Sequence, residues 1–229
     1  MITLEAEKQI ADDSPDHICP VGAIRDNFTS PGLIDEVKYG FDDEQISMLD
    51  LGCAGGQFVV DFINRGDIGI GLEGSSNSLS GVGKENWDKY HDKNLFLCDI
   101  TKDYQLYQDG EPMLFDFIHS EEVFEHIAPD DVEPMLDNIF KHLKEGGLCV
   151  FGVSLVPDVR NEDGERYCHC GSMSDVNNLL AANPTFTYEK FYLPETPKTV
   201  DVPHFTVAPD LELPAQQILP ESELQPFEP

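Results

Sequence analysis

Apolar residues gather into short runs at Ile46–Leu51, Ile68–Leu72, Asn94–Cys98, Leu114–His119 and Leu148–Val153, the length and character of buried strands. Between them, apolar positions recur at helical spacing and predict helices at Gln57–Arg65, Ser78–His91 and Asp131–Lys144. In the last of these, Val132, Leu136, Ile139, Phe140 and Leu143 lie three or four residues apart, and Gly146-Gly147 supplies a stop. Strand–helix alternation of this kind calls for a parallel sheet covered on both faces. Further on, Ser174–Ala182 reads as a helix. Thr185–Leu193 and Thr199–Val207 read as two strands joined through Pro194 and Pro197, an antiparallel pair at the sheet edge. The predicted fold is α/β: a doubly wound, mostly parallel, seven-stranded sheet with an antiparallel edge hairpin.

The flanks differ from this centre. Residues 1–45 are acid-rich and carry Pro15, Pro20 and Pro31, which predicts short helices and loops capping the domain of residues 46–208. Residues 209–229 hold five prolines and five acids without a Lys or Arg, the composition of an extended acidic tail. No internal repeat is present. At 229 residues with 40% hydrophobic content, the chain supports one large domain or at most two small ones.

Charge and cysteines narrow the setting. With 14 basic against 44 acidic residues the net charge is −30, a field that repels phosphate backbones and argues against long nucleic acid as a partner. Because the acids are spread along the whole chain, solubility accounts for them better than attraction of a cationic substrate or protein. No apolar run is long enough to span a membrane, and MITLEAEKQI lacks the features of a signal peptide. Three of the six cysteines, Cys53, Cys98 and Cys149, fall in or beside apolar runs, which favours free buried thiols and a cytoplasmic setting. Cys168-His169-Cys170 lacks the second ligand pair of a structural zinc site and reads as an ordinary loop.

The stretch SMLDLGCAGGQFVVDFINRG, Ser47 to Gly66, is a strand, a turn of small residues and a helix, with an acid at the strand's end. In an open parallel sheet this is where a nucleotide-like ligand is held: absent side chains let the backbone approach it, and the helix N-terminus offers free N–H groups. The G-x-G-x-x-G register of dinucleotide sites, started at Gly52, meets Ala54 and Gln57 and fails twice. No G-K-[ST] suggests a triphosphate loop either.

Asp50-Leu51-Gly52-Cys53-Ala54-Gly55-Gly56 instead resembles the first motif of the Rossmann-like S-adenosylmethionine-dependent methyltransferases, an acid followed by x-G-x-G-x-G, with Ala54 in place of the middle glycine. The resemblance implies that Asp50 meets the cofactor's ammonium group while Gly52, Cys53, Ala54 and Gly56 let the backbone approach. Downstream landmarks follow in order at strand ends. Glu73, before Gly74, is placed to accept both ribose hydroxyls, a bidentate task for a carboxylate. Asp99 and Ile100 resemble the adenine-binding position, one accepting from the exocyclic amine and the other packing on the ring. Phe115–Ser120 resembles the fourth motif, with Ser120 at the cofactor, and Leu143–Leu148 the turn into the fifth strand. The likeness spans about Ile46 to Val153. It implies S-adenosyl-L-methionine as cofactor and S-adenosyl-L-homocysteine as product.

For chemistry, Ser120–Ile127 is the informative segment. Read as a helix with Ser120 as N-cap, it sets Glu122, Glu125 and His126 on one face. EVFEHI resembles the E-V-x-E-H of quinone-biosynthesis O-methyltransferases and of small-RNA 2′-O-methyltransferases. The RNA enzymes hold a divalent metal on two Glu and two His, which here implies Glu122, Glu125 and His126, with His169 as the distant partner. Relatives without a metal also carry the Glu-His pair, so a base or substrate-orienting role is the preferred reading of His126. His119 ends a strand at the cofactor face, although strand parity can turn it into the sheet. Tyr167, Cys168 and His169 are candidates for a substrate lid.

The expected function is methyl transfer to a hydroxyl of a small-molecule acceptor. The alternatives are another transfer chemistry on the same fold, such as aminopropyl transfer, or a non-catalytic module that binds the cofactor and acts through its acidic surface.

Overall fold

The computed structural model describes residues 1–12, 21–41, 45–152, 186–188 and 204–207. The chain opens on β1 (Ile2–Ala6), followed by α1 (Val21–Arg25) and α2 (Pro31–Gly40) ahead of the first parallel strand, β2 (Ser47–Leu51). α3 (Gln57–Asn64) then leads to β3 (Ile68–Glu73), and α4 (Lys84–Tyr90) to β4 (Leu95–Leu97). An antiparallel excursion, β5 (Tyr104–Gln108) and β6 (Glu111–Pro112), precedes β7 (Phe115–Glu121), α5 (Pro129–His142) and β8 (Leu143–Gly152). The last strands are β9 (Phe186–Tyr188) and β10 (His204–Val207).

The large sheet runs β4-β3-β2-β7-β8-β10-β9, its first five strands parallel and the last two antiparallel, as the alternation predicts. Strand order reverses between β2 and β7: the chain winds outward through β3 and β4, then returns to β7 and winds the other way. The crevice at the carboxyl ends of these two strands is the switch point where doubly wound folds bind ligands. In register there, Asp50 of β2 sits between Gly71 of β3 and His119 of β7.

β2 is buried along its whole length because both faces are covered. On one face Met48 joins Phe58, Val59 and Phe62 of α3, Ile34 and Val37 of α2 and Trp87 of α4. On the other, Leu49 and Leu51 join Val132, Met135, Leu136 and Ile139 of α5 together with Tyr104 and Leu106. Each fully buried ring or branched side chain contributes about 1.5–3 kcal/mol, so these two layers dominate the stability of the sheet. Among the described residues, no helix is long and apolar enough to cross a membrane.

The structure corrects four local expectations. The capping segment contributes a strand as well as helices: β1 pairs antiparallel with β5, and with β6 they form a separate three-stranded sheet. Its alternating half-buried pattern is visible in Ile2-Thr3-Leu4-Glu5-Ala6, but the partner lies a hundred residues away. Second, Ser120 is not a helix cap. β7 continues through it to Glu121, Glu122 takes a left-handed φ of +51°, and a single 3-10 turn, Phe124–His126, follows. Third, the expected helix Ser78–His91 is divided at Gly81 and Gly83 into a 3-10 turn, Ser76–Ser80, and α4. Fourth, α5 stops at His142 rather than at the glycine pair. Leu143 already pairs with Phe115, and Gly146 bends the strand at φ +75°.

His142 explains how the small sheet docks. Its Nδ1 donates to the Asn138 carbonyl (2.8 Å), and Nε2 accepts from the Leu106 N–H (3.4 Å) while the ring stacks on Tyr104. Burial lowers its pKa, which suits the neutral tautomer that this donor–acceptor pattern requires. Asn138 also donates to the carbonyls of Ile100 and Lys102, fixing the loop after β4 against α5.

The expected Ser174–Ala182 helix, the Tyr167–His169 lid and the 209–229 tail lie outside the described residues.

Candidate active site

The turn after β2 is a coil of left-handed residues: Gly52 (φ +73°), Ala54 (φ +42°) and Gly56 (φ +73°). Ala54 is strained in this conformation, and four contacts hold the bend around it. Its N–H donates to Glu73 Oε2 (2.9 Å), and its carbonyl accepts from the Trp87 indole N–H (2.8 Å). The N–H groups of Gly52 and Cys53 both donate to the Leu72 carbonyl at 2.8 and 3.0 Å. Gly56 begins α3 without a capping side chain, and Asn27 from the N-terminal segment supplies one, its Oδ1 accepting from the Gln57 N–H (2.9 Å). The neighbouring Asp26 carbonyl accepts from the Gly55 N–H (3.0 Å), so the segment before α2 closes over the turn.

α4 approaches the same bend from below. A Cβ on Gly83 would stand 2.1 Å from the Cα and the carbonyl oxygen of Gly55, both backbone atoms that cannot swing aside. Gly83→Ala is therefore expected to lower stability by about 1–3 kcal/mol through overpacking. A denaturant midpoint that falls at unchanged slope checks this.

Three acids stand at the ends of β2, β3 and β4. Glu73 is buried and accepts from the Ala54 N–H and, through Oε1, from the Ser75 N–H (2.8 Å). Burial drives its pKa up to about 7, against those backbone bonds. Asp99 is buried at the loop after β4, where its Oδ1 accepts from the Thr101 N–H (3.1 Å) and hydroxyl (2.7 Å). Asp50 is buried and its pKa is raised by desolvation, opposed by the His119 imidazole, whose Nδ1 lies 2.8 Å from Oδ1.

His119 is fully buried on the α3 face of the sheet, stacked on Phe28 (centroids 5.2 Å apart) and tilted against Phe58 (4.5 Å). Burial opposes its charge, but the Asp50 and Glu121 carboxylates outweigh that penalty and push its pKa up to about 9. Parity thus turns the ring into the sheet layer while its polar edge still reaches the switch point.

A cavity of about 470 Å³ opens above these groups. Asp50, Gly52, Cys53, Ala54, Glu73, Gly74, Asp99, Ile100 and His126 all line it, so one site gathers residues from four separate strand ends. Gly56 and Ser120 do not. Gly56 shapes the turn from behind, with Leu95 against its Cα, and Ser120 is fully buried in β7 with no partner for its hydroxyl among the described residues. Residues not anticipated from sequence also line the cavity, notably Arg25, Asp26, Asn27 and Phe28 from the N-terminal segment and Thr101 after β4. Asn27 carried no sequence signal, since its capping target lies 30 residues away.

The metal reading loses its geometric basis. Glu122 and His126 do not share a helix face, because the left-handed Glu122 precedes a 3-10 turn. Among the described residues, no group of three His, Cys, Asp or Glu side chains is arranged to hold a metal ion. The Glu125 side chain and His169 lie outside the described residues.

Chemically, the donor set suits one kind of ligand. Buried carboxylates at Asp50 and Glu73, each disfavoured by desolvation, are satisfied by a molecule bringing an ammonium and vicinal hydroxyls. Asp99 and Ile100, after β4 and two strands from β2, line the same cavity, where a flat heterocycle would be bounded by a polar acceptor and an apolar side chain.

No curated protein matches the sequence. Among solved structures the fold is similar to DesVI of Streptomyces venezuelae, with 16% identity, a TM-score of 0.52, and coverage of 85% of this chain and 92% of that one. It is also similar to an S-adenosylmethionine-dependent methyltransferase from Clostridium acetobutylicum ATCC 824 (16% identity, TM-score 0.51, 76% and 87% covered). A third likeness is to the sugar N-methyltransferase KedS8 from Streptoalloteichus sp. ATCC 53650 (13% identity, TM-score 0.51, 77% and 85% covered). At such identities these likenesses establish the fold. Residues 26–183, more than half the chain, match the family model described as a methyltransferase domain, and the chain belongs to that family as an S-adenosylmethionine-dependent methyltransferase.

Proposed function

We propose that this enzyme methylates a hydroxyl group of a small molecule, with His126 receiving the acceptor's proton. The observation that carries this reading is the position of His126, on the 3-10 turn beyond β7, in the wall of the cavity that Asp50, Glu73 and Asp99 line. The cofactor, when bound, supplies a methyl group on a sulfonium. Asp50 would receive its amino end, Glu73 its ribose hydroxyls, and Asp99 with Ile100 its adenine. On this reading the acceptor meets the remaining lining residues Arg25, Asp26, Glu122 and His126.

A hydroxyl must lose its proton as it attacks, and an imidazole beside the attacking oxygen serves as acceptor near neutral pH. Asp26 lines the same cavity as His126. Burial raises the Asp26 pKa, while the charges of Arg25 and His126 lower it, so the carboxylate and imidazole are electrostatically coupled. His119 does not suit the base role, because its Asp50 partner keeps it protonated at neutral pH. A cavity of this size with acidic walls, in a chain of charge −30, favours a small acceptor over a polyanion.

A second reading has a specific observation behind it. Asp26, Glu121 and Glu122 all stand in the cavity wall and would draw in a cationic amine, whose surplus proton His126 would accept before attack. The likeness in fold to a sugar N-methyltransferase supports this reading. The test is a screen of phenols, sugars and aliphatic amines for S-adenosylhomocysteine release, with mass spectrometry of the product. An O-methyl product supports the first reading and an N-methyl product the second. Methylthioadenosine instead of S-adenosylhomocysteine would sink both.

A further inference from the structure

The Asp50–His119 pair is the feature that methyl transfer itself leaves unexplained. β2 and β7 meet at the switch point, and this bond joins them directly across the register pair. The imidazole's other edge, Nε2, is buried without a hydrogen-bond partner among the described residues and lies 3.7 Å from Glu121 Oε2. Around the ring the charged groups are Asp50 from β2 and Glu121 from its own strand. α3 and the segment before α2 face it with the rings of Phe58 and Phe28, and β8 with Val150 in register. One imidazolium therefore sits between two carboxylates in an aromatic box.

The consequence falls on Asp50. Desolvation alone would press this acid toward its neutral form, and the neighbouring Glu121 presses the same way, while His119 opposes both. A neutral acid donates one hydrogen bond and offers no charge. A carboxylate whose Oδ1 is taken by His119 presents its remaining lone pairs to the cavity. We propose that His119 is a positioning residue that holds Asp50 as an oriented carboxylate, so that the cavity selects ligands carrying the cofactor's amino-acid end. This rests on the reading of Asp50 as the acceptor for the cofactor's ammonium group.

The test compares two ligands that differ in that end: S-adenosylhomocysteine, which carries it, and methylthioadenosine, which lacks it. Both carry the ribose and adenine, so the ratio of their dissociation constants cancels whatever Glu73 and Asp99 contribute. In wild type the preference for S-adenosylhomocysteine is expected to hold steady between pH 6 and 7.5. In His119→Gln it is expected to fall about tenfold, with a larger loss at low pH than at high pH, because without the imidazole only burial and Glu121 act on the Asp50 carboxyl and both raise its pKa. Asp50→Asn is expected to show the same loss without that pH dependence, and the double variant no further loss, since His119 acts through Asp50. A readout free of ligand is the NMR titration of the His119 ring, expected to stay protonated until about pH 9 in wild type and to titrate lower in Asp50→Asn. Should His119→Gln not fold, Asp50→Asn and the ring titration decide the matter by themselves. Equal weakening of both ligands in His119→Gln, or a ring already neutral at pH 7, would overturn the proposal with the cofactor reading intact. Binding of neither ligand to wild type would overturn both.

Discussion

Glu73→Ala is expected to weaken S-adenosylmethionine binding by a hundredfold or more. A carboxylate that accepts two ribose hydroxyls makes two charge-assisted hydrogen bonds, each worth roughly 1.5–3 kcal/mol, so the loss begins near 3 kcal/mol. The substitution also removes the acceptor for the Ala54 N–H, the bond that steadies the one non-glycine residue held left-handed in the turn. Calorimetric titration measures the loss directly. Thermal unfolding gives an independent measure: ligand at about 100 times its dissociation constant adds ~2.7 kcal/mol to wild type, on the order of 5–10 °C for a chain this long, and a hundredfold weaker variant at the same concentration should keep only ~0.4 kcal/mol of it. A variant that binds within about fivefold of wild type would remove Glu73 from the ribose site.

The same residue gives cofactor affinity a pH dependence of defined sign. Burial raises the folded-state pKa of Glu73 from 4.5 to about 7. For a group raised on folding, the stabilising contribution is fully present below pH 4.5 and is lost as pH rises through 7. The ligand-free protein thus gains nothing from ionising Glu73, whereas the proposed bidentate ribose contact draws on the ionised form. Affinity should fall as pH drops below about 7, by at most tenfold per unit, and the ligand-induced thermal shift should grow from pH 6 to pH 8. Glu73→Gln, which retains an acceptor oxygen without a charge, should flatten that limb.

What the sequence revealed follows the range of the interaction that fixes each element. The five parallel strands were legible because each is buried on both faces and reads as a continuous apolar run, as in Met48-Leu49 and Phe117-Ile118. Site residues at strand ends were legible for the same reason: once a strand is placed, its carboxyl end is placed, and Asp50, Glu73 and Asp99 follow. β1 was missed because two-residue alternation over five positions is weak without its partner, and the partner β5 lies a hundred residues further on. The Ser120–His126 segment was misread because two local signals agreed on the wrong answer. Ser120 is a good helix cap, and acids suit a first turn, but the ladder to β8 continues through Ser120 and Glu121. Tertiary pairing overrode propensity, and the left-handed Glu122 that ends the strand has no sequence mark. The closure by Asp26, Asn27 and Phe28 was invisible for a related reason, since a side chain capping a helix 30 residues away leaves no periodic trace.

His126→Ala should cost turnover most of all. General-base catalysis contributes typically 10²–10⁴-fold, and the substitution removes the imidazole while leaving in place Asp50, Glu73 and Asp99, the acids proposed to hold the cofactor. The expected result is a fall in kcat of that size, with the S-adenosylmethionine dissociation constant within about twofold of wild type. A loss confined to KM for the cofactor would instead mark His126 as part of the binding wall. The pH profile separates a base from a structural histidine. If His126 accepts the proton, the variant must lose it to solvent base, and its rate should climb toward tenfold per pH unit while the wild-type rate levels off. A merely structural histidine would lower the rate by a constant factor and leave the profile's shape unchanged. Asp26→Asn belongs in the same experiment, because Asp26 and His126 share a cavity wall and each feels the other's charge. Removing that carboxylate withdraws a stabilising charge from the imidazolium formed during transfer, so the variant should show a smaller fall in rate than His126→Ala.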